Sequence, residues 1–115
     1  MRLLLVEDND RLAELVIKGL AGAGFTVDRV GTLEDASAAL ATARFDTIVL
    51  DLGLPDGDGV NLARKIRRSP ELRQARVIAI TGKGEAHRSR ALDAGCDEFV
   101  VKPLDPRLLD ELVEK

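Results

Sequence analysis

Asp51 closes the apolar run Thr47-Ile48-Val49-Leu50 and opens a loop, Leu52-Gly53-Leu54-Pro55-Asp56-Gly57-Asp58-Gly59. Burying an unpaired carboxylate is expensive, so an acid at the end of a strand-like run calls for a partner or a use. Other polar groups stand at the ends of apolar runs in the same way. Glu7 and Asp8 follow Leu3-Leu4-Leu5-Val6, Thr81 closes Val77-Ile78-Ala79-Ile80, and Lys102 follows Phe99-Val100-Val101. Brought to one edge, the three carboxylates repel one another. A hard divalent cation relieves that repulsion. Mg2+ takes oxygen ligands, needs one or two carboxylates plus waters, and leaves room for a phosphate oxygen. Thr81 offers a hydroxyl donor and Lys102 a point charge, both suited to a phosphoryl group. A carboxylate flanked by a metal and a lysine is a nucleophile toward phosphorus.

The elements needed to gather these groups are legible. Leu3 to Val6 reads as a strand covered on both faces. Leu12, Leu15, Val16, Gly19, Leu20 and Ala23 recur at helical spacing, with Gly24 just past the end. Phe25 to Val30 is a more polar strand, expected at an edge and ending without a charged group. Thr32 caps a second helix whose stripe is Leu33, Ala36 and Leu40. Thr47 to Asp51 is the third strand. Gly59, Leu62, Ala63 and Ile66 mark a third helix that stops before Pro70. Arg76 to Thr81 is the fourth strand, Glu85 to Ala94 a weakly amphipathic and loosely held fourth helix closed by Gly95, and Glu98 to Val101 the fifth strand. Leu108, Leu109, Leu112 and Val113 suggest a last helix. Strand and helix alternate five times, which predicts an α/β fold: a doubly wound, five-stranded parallel sheet with five helices on both faces. All strand ends then share one edge.

The 115 residues fit one domain, 1–115. A net charge of −3 gives no electrostatic case for nucleic-acid or membrane binding. Cys96 is the one cysteine and cannot form an internal disulfide, which suggests a reducing compartment. No signal-peptide pattern or transmembrane-length run stands out. Cytoplasmic localisation is the expectation.

With the edge assembled, the whole chain resembles the receiver domain of two-component response regulators. The resemblance rests on Leu3-Leu4-Leu5-Val6-Glu7-Asp8, on Ile48 through Gly59, on Ile80-Thr81, and on Gly95-Cys96-Asp97-Glu98-Phe99-Val100-Val101-Lys102-Pro103 in that order. It implies a flavodoxin-like strand order, 2-1-3-4-5. It implies that Asp51 accepts a phosphoryl group from a histidine kinase or histidine phosphotransfer protein. Mg2+ would be held by Asp8, Asp51 and the Gly53 carbonyl, with Glu7 acting through water. Thr81 would bind phosphoryl oxygens, Lys102 would pair with the group, and Phe99 would be the switch aromatic that follows Thr81. The Lys102-Pro103 bond falls where the family usually has a cis peptide. The domain would not be an enzyme in the ordinary sense, catalysing only its own phosphorylation and dephosphorylation. A downstream protein or fused output domain would read the face made by the fourth helix, fifth strand and fifth helix. The chain would be a stand-alone receiver or a piece of a longer protein, and a monomer or a phosphorylation-dependent dimer. Arg88, Asp97 and Leu92-Asp93-Ala94-Gly95 fit the dimerising transcription-factor pattern, whereas Ser89, Leu108 and Leu112 depart from it. Gly53 stands where larger side chains are common, Gly82 where alanine is, and Lys83 at a position that tunes phosphoryl loss. Gly53 would open the group to water while Lys83 adds positive charge.

Plainer readings compete at each position. Asp51 alone is a turn residue, Glu7 and Asp8 alone are helix caps, and Thr81 and Lys102 alone are surface groups; their convergence decides against that. Phe99 is equally at home as plain core. His87 reads as an exposed mid-helix spectator, Cys96 as a small apolar residue, and Arg64, Lys65, Arg67 and Arg68 as a solvated helix end. Asp56-Gly57-Asp58-Gly59 resembles a calcium loop but lacks the closing glutamate at EF-hand spacing. A nucleotide- or flavin-binding module would want amide-presenting small residues after the first strand, not Glu-Asp-Asn-Asp. An aspartyl-phosphate phosphatase would carry Asp-x-Asp, not Asp51-Leu52-Gly53. A degenerate docking receiver would have lost its acids.

Overall fold

A computed structural model describes residues 1–82 and 87–102. The main sheet contains β1 (Arg2–Val6), β2 (Thr26–Val30), β3 (Thr47–Asp51), β6 (Arg76–Thr81) and β7 (Glu98–Val101). Its order is β2-β1-β3-β6-β7 and every pairing is parallel. Setting aside a small hairpin, β4 (Gly53–Leu54) and β5 (Gly57–Asp58), this is the expected 2-1-3-4-5 order, with the polar strand β2 at the edge. The helices are α1 (Asp10–Gly22), α2 (Leu33–Thr42), α3 (Gly59–Arg68) and α4 (Arg88–Asp93). The expected last helix, with Leu108 and Leu112, lies outside the described residues, as do Lys83, Glu85 and Pro103. No helix among the described residues is long and apolar enough to cross a membrane.

Side chains alternate across the strands, so each strand feeds two cores. Leu3, Leu5, Val49, Ile78, Ile80 and Val100 pack with Ala13, Val16 and Leu20 of α1. Leu4, Val6, Ile48, Leu50, Val77, Ala79 and Phe99 pack with α2, α3 and α4. The α1 stripe differs from the expected one. Leu15 is 49% exposed and Ala23 is exposed, while Ala13 is buried. Apolar residues flank Val16 on both sides of the helix, and packing against the sheet selects the side of Ala13.

The helix ends follow local chemistry. Asn9 accepts from the Leu12 amide and Thr32 from the Asp35 amide. Gly24 and Gly95 adopt positive φ after α1 and α4. The hairpin after β3 leaves no periodic pattern in the sequence, since its strands are two residues long. Its acids anchor it: Asp56 accepts from the amides of Leu33 and Glu34 at the start of α2, and Asp58 from the amide of Val60 in α3.

Candidate functional site

Parallel pairing carries β1, β3, β6 and β7 to the same edge, and Glu7, Asp51, Thr81 and Lys102 arrive there. Register places Val6 beside Leu50, Asp51 beside Ile80, and Thr81 beside Val101. Ligand oxygens of Glu7, Asp8 and Asp51 all lie within 4.8 Å of one another. Glu7 is fully buried, Asp51 and Thr81 are buried, and Asp8 is exposed.

Among the described residues, Lys102 is the cation that meets these acids. Its Nζ lies 2.9 Å from Glu7 Oε1 and donates to Asp51 Oδ2 at 3.0 Å. Asp51 Oδ1 accepts from the Gly53 amide at 3.0 Å, and Glu7 Oε2 from the Asn9 amide at 3.0 Å. Glu7 Oε1 is buried and, though close to Lys102, accepts no well-directed hydrogen bond. Burial pushes the Glu7 carboxyl up; the Asn9 amide and Lys102 pull it back, Asp51 pushes again, and the net position is above the usual range. Burial opposes the charge on Lys102, but its contacts with Glu7 and Asp51 outweigh that and hold it above its ordinary value. Glu7 and Asp51 thus share one ammonium, Asp8 adds a third carboxylate nearby, and one buried oxygen is left unsatisfied. That donor set fits a hard, oxygen-seeking divalent cation.

Gly53 is exposed, and a Cβ there would meet only Asp51 Oδ1, at 3.9 Å, so the approach to Asp51 has room for a side chain. Gly59 has no such room: a Cβ would come within 2.7 Å of the Asp51 carbonyl oxygen. Beside the acids, Gly53, Asp58, Thr81, His87 and Arg90 line a cavity of about 330 Å³. Phe99 is not in the cluster. It is buried in the core on the α2–α4 side, with the Arg88 guanidinium 5.2 Å from its ring centroid.

Several residues behave otherwise than expected. The edge strand does send a charged group to the site: Arg29 reaches back to the Glu7 carbonyl and to Asp10. His87 is not mid-helix but at the N-cap of α4, with Nδ1 3.3 Å from Arg90. Arg90 in turn pairs with Asp58 at 2.6 Å, tying α4 to the hairpin. Arg64, Lys65 and Arg68 are exposed, but Arg67 is not a solvated charge. It donates to the carbonyls of Gly95, Arg73 and Ala75 and pairs with Asp97. Asp97 is therefore engaged within the chain, and also accepts from the Val77 amide. Sequence offered no direct signal for Arg29 or Arg67, whose main partners are carbonyls that only the topology brings near. Cys96 is buried as expected, and burial pushes its thiol up to about 11.

A doubly wound parallel sheet with an acid triad and a lysine at its carboxyl edge defines the class: a flavodoxin-like protein with a carboxylate centre. Comparison with known proteins makes the class specific. The model of the response regulator receiver domain matches residues 3–114, and the chain belongs to that family. It is 39% identical over 113 residues to the response regulator protein PmrA of Pseudomonas aeruginosa, covering 97% of this chain and 49% of that protein. It is 36% identical to the transcriptional regulatory protein PmrA of Pectobacterium parmentieri, covering 90% and 46%. The chain thus spans about half the length of these relatives. A CheY-like receiver domain protein of Methanospirillum hungatei superposes with a TM-score of 0.90 at 27% identity, covering 98% of this chain and 90% of that one. Receiver domains are signalling domains of two-component systems, and the acid cluster of Glu7, Asp8 and Asp51 fits a phosphoacceptor site.

Proposed function

We propose that Asp51 is the phosphoacceptor of this receiver domain, charged by a histidine kinase or histidine phosphotransfer protein. The observation that carries the reading is the Asp51 carboxylate itself: buried, held by the Gly53 amide and Lys102, and within 4.8 Å of the Glu7 and Asp8 oxygens. Asp8, Asp51 and the Gly53 carbonyl would hold Mg2+, with Glu7 through water. When bound, the ion offsets the negative charge gathered as a phosphoryl group approaches the acids. An Asp51 oxygen attacks phosphorus, and the bond from phosphorus to the donor imidazole nitrogen breaks. Lys102 then shifts its hydrogen bond to a phosphoryl oxygen, and the Thr81 hydroxyl donates to another. Movement of Thr81 is passed to Phe99, which is already buried beside α4, and changes the surface formed by α4 and β7. Residues 1–115 act as one receiver unit, catalysing its own phosphorylation and dephosphorylation. The surface is read by a downstream protein or a fused output domain, and the domain itself makes no nucleic-acid contact.

The test is intact mass after incubation with acetyl phosphate and Mg2+, with Asp51→Asn as control. One added phosphoryl mass on the parent and none on Asp51→Asn is expected. No gain on the parent, or equal gain on both, overturns the reading.

A further inference from the structure

Asp8 is the exposed member of the acid cluster and sits on the loop between β1 and α1. That loop is held from the side by the edge strand. Arg29 Nε donates to the Glu7 carbonyl at 2.9 Å, and Arg29 Nη1 donates to Asp10 Oδ1 at 2.8 Å. The two contacts bracket Asp8, one residue before it and two after. Between them, the Asn9 amide is fixed by Glu7 Oε2 and the Asn9 side chain caps α1.

We propose that Arg29 is a positioning residue for metal binding: its guanidinium fork fixes residues 7–10 so that the Asp8 carboxylate stays within reach of Glu7 and Asp51. This rests on the reading that a divalent cation binds there. Charge alone makes the opposite demand. A fixed cation beside the acids opposes Mg2+, so deleting a mere charge would tighten binding, whereas deleting a positioner weakens it. Lysine separates the two effects further. It keeps the charge but is a single ammonium without the rigid fork that holds a carbonyl and a carboxylate together.

The experiment is Mg2+ titration of the full chain at constant ionic strength, followed by backbone amide shifts, for the parent, Arg29→Lys and Arg29→Gln. Hydrogen exchange of the Asn9 amide is read without Mg2+. Both variants are expected to raise the Kd on the order of tenfold, the low end for a residue that supports a ligand rather than binding the ion. Both should also speed Asn9 exchange. An unchanged or lower Kd in Arg29→Gln overturns the proposal. So does parent-like binding in Arg29→Lys, or weaker binding with unchanged Asn9 exchange. Should Arg29→Gln fail to fold, Arg29→Lys decides alone. A parent that shows no saturable Mg2+ response overturns the metal reading, and this inference with it.

Discussion

Lys102 is the residue on which the acid cluster depends. Its ammonium meets both Glu7 and Asp51, and Glu7 is fully buried. Removing one partner of a buried pair strands the other, at a usual cost of about 3–5 kcal/mol. Here Lys102 keeps about a quarter of its surface exposed, and solvent offsets part of that cost. Lys102→Met is therefore expected to destabilise the metal-free domain by about 2 kcal/mol at pH 7. The sign of the pH dependence follows from Glu7, whose folded carboxyl lies above its ordinary 4.5. Protonated Glu7 favours the folded state, so stability falls as pH rises through that raised value. Loss of Lys102 raises it further, and the gap between Lys102→Met and the parent should shrink from pH 7 to pH 5. Urea denaturation at both pH values measures it; an equal gap at the two is the result that counts against the account. The acids themselves were legible in the sequence because a carboxylate at the end of an apolar strand is physically anomalous. Arg29 and Arg67 were not, because a surface-type arginine in sequence gives no sign of which carbonyls the fold will bring within its reach.

At the scale of elements, the sheet strands were readable from continuous apolar runs, and Thr32 as a cap from its place before an acidic turn. The α1 phase was not, since periodicity around Val16 admits two stripes and only the sheet chooses. The hairpin β4–β5 escaped for a different reason: its order comes from anchors, not from its own strands. Asp56 ties it to α2, and Asp58 ties it to α3 and, through Arg90, to α4. The amide of Leu33, with that of Glu34, holds the Asp56 carboxyl below its ordinary 3.8. Burial pushes Asp58 up, but the Val60 amide and Arg90 outweigh it and hold it below 3.8 as well. Acids with depressed folded values stabilise above the unfolded pKa and lose that contribution as pH falls through the folded one. An Asp56→Asn, Asp58→Asn double variant should therefore lose less stability than the parent between about pH 5 and pH 3. Parallel stability curves over that range would remove these anchors from the acid response. Arg67 does the corresponding work for β7. It gathers the carbonyls of Arg73, Ala75 and Gly95 and the Asp97 carboxylate, and a Cβ on Gly95 would overlap its side chain. Arg67→Ala strands two partly buried carbonyls, those of Gly95 and Ala75, at about 1 kcal/mol or more apiece, so about 2 kcal/mol in total is expected. Arg67→Lys should recover less than half, because one ammonium cannot serve four acceptors in separate directions. Denaturant midpoints for the pair of variants test this, and full recovery by lysine would show that charge alone mattered.

Over the whole molecule, the fold concentrates its electrostatic strain at one edge. Both hydrophobic cores run the length of the strands, and the unfavourable charges collect where the strands stop. A cation that binds this edge only when the sheet is assembled stabilises the entire cooperative unit, because the unfolded chain does not bring Glu7, Asp8 and Asp51 together. Mass action sets the size. At a hundred times its Kd, Mg2+ would add about 2.7 kcal/mol. For a domain of this length about 4 °C accompanies each kcal/mol, so Tm should rise by roughly 10 °C. Screening gives a smaller and non-specific rise, so NaCl at matched ionic strength is the control. Asp8→Asn should abolish most of the Mg2+-specific shift while raising the metal-free Tm, since it removes one of three repelling carboxylates. Calorimetry or circular dichroism at 222 nm reads both quantities, which suits a chain without Trp or Tyr. A Mg2+ shift that survives Asp8→Asn at full size would place the ion elsewhere. No shift in the parent beyond that of NaCl would mean that the chain's own cations balance the acids without the metal.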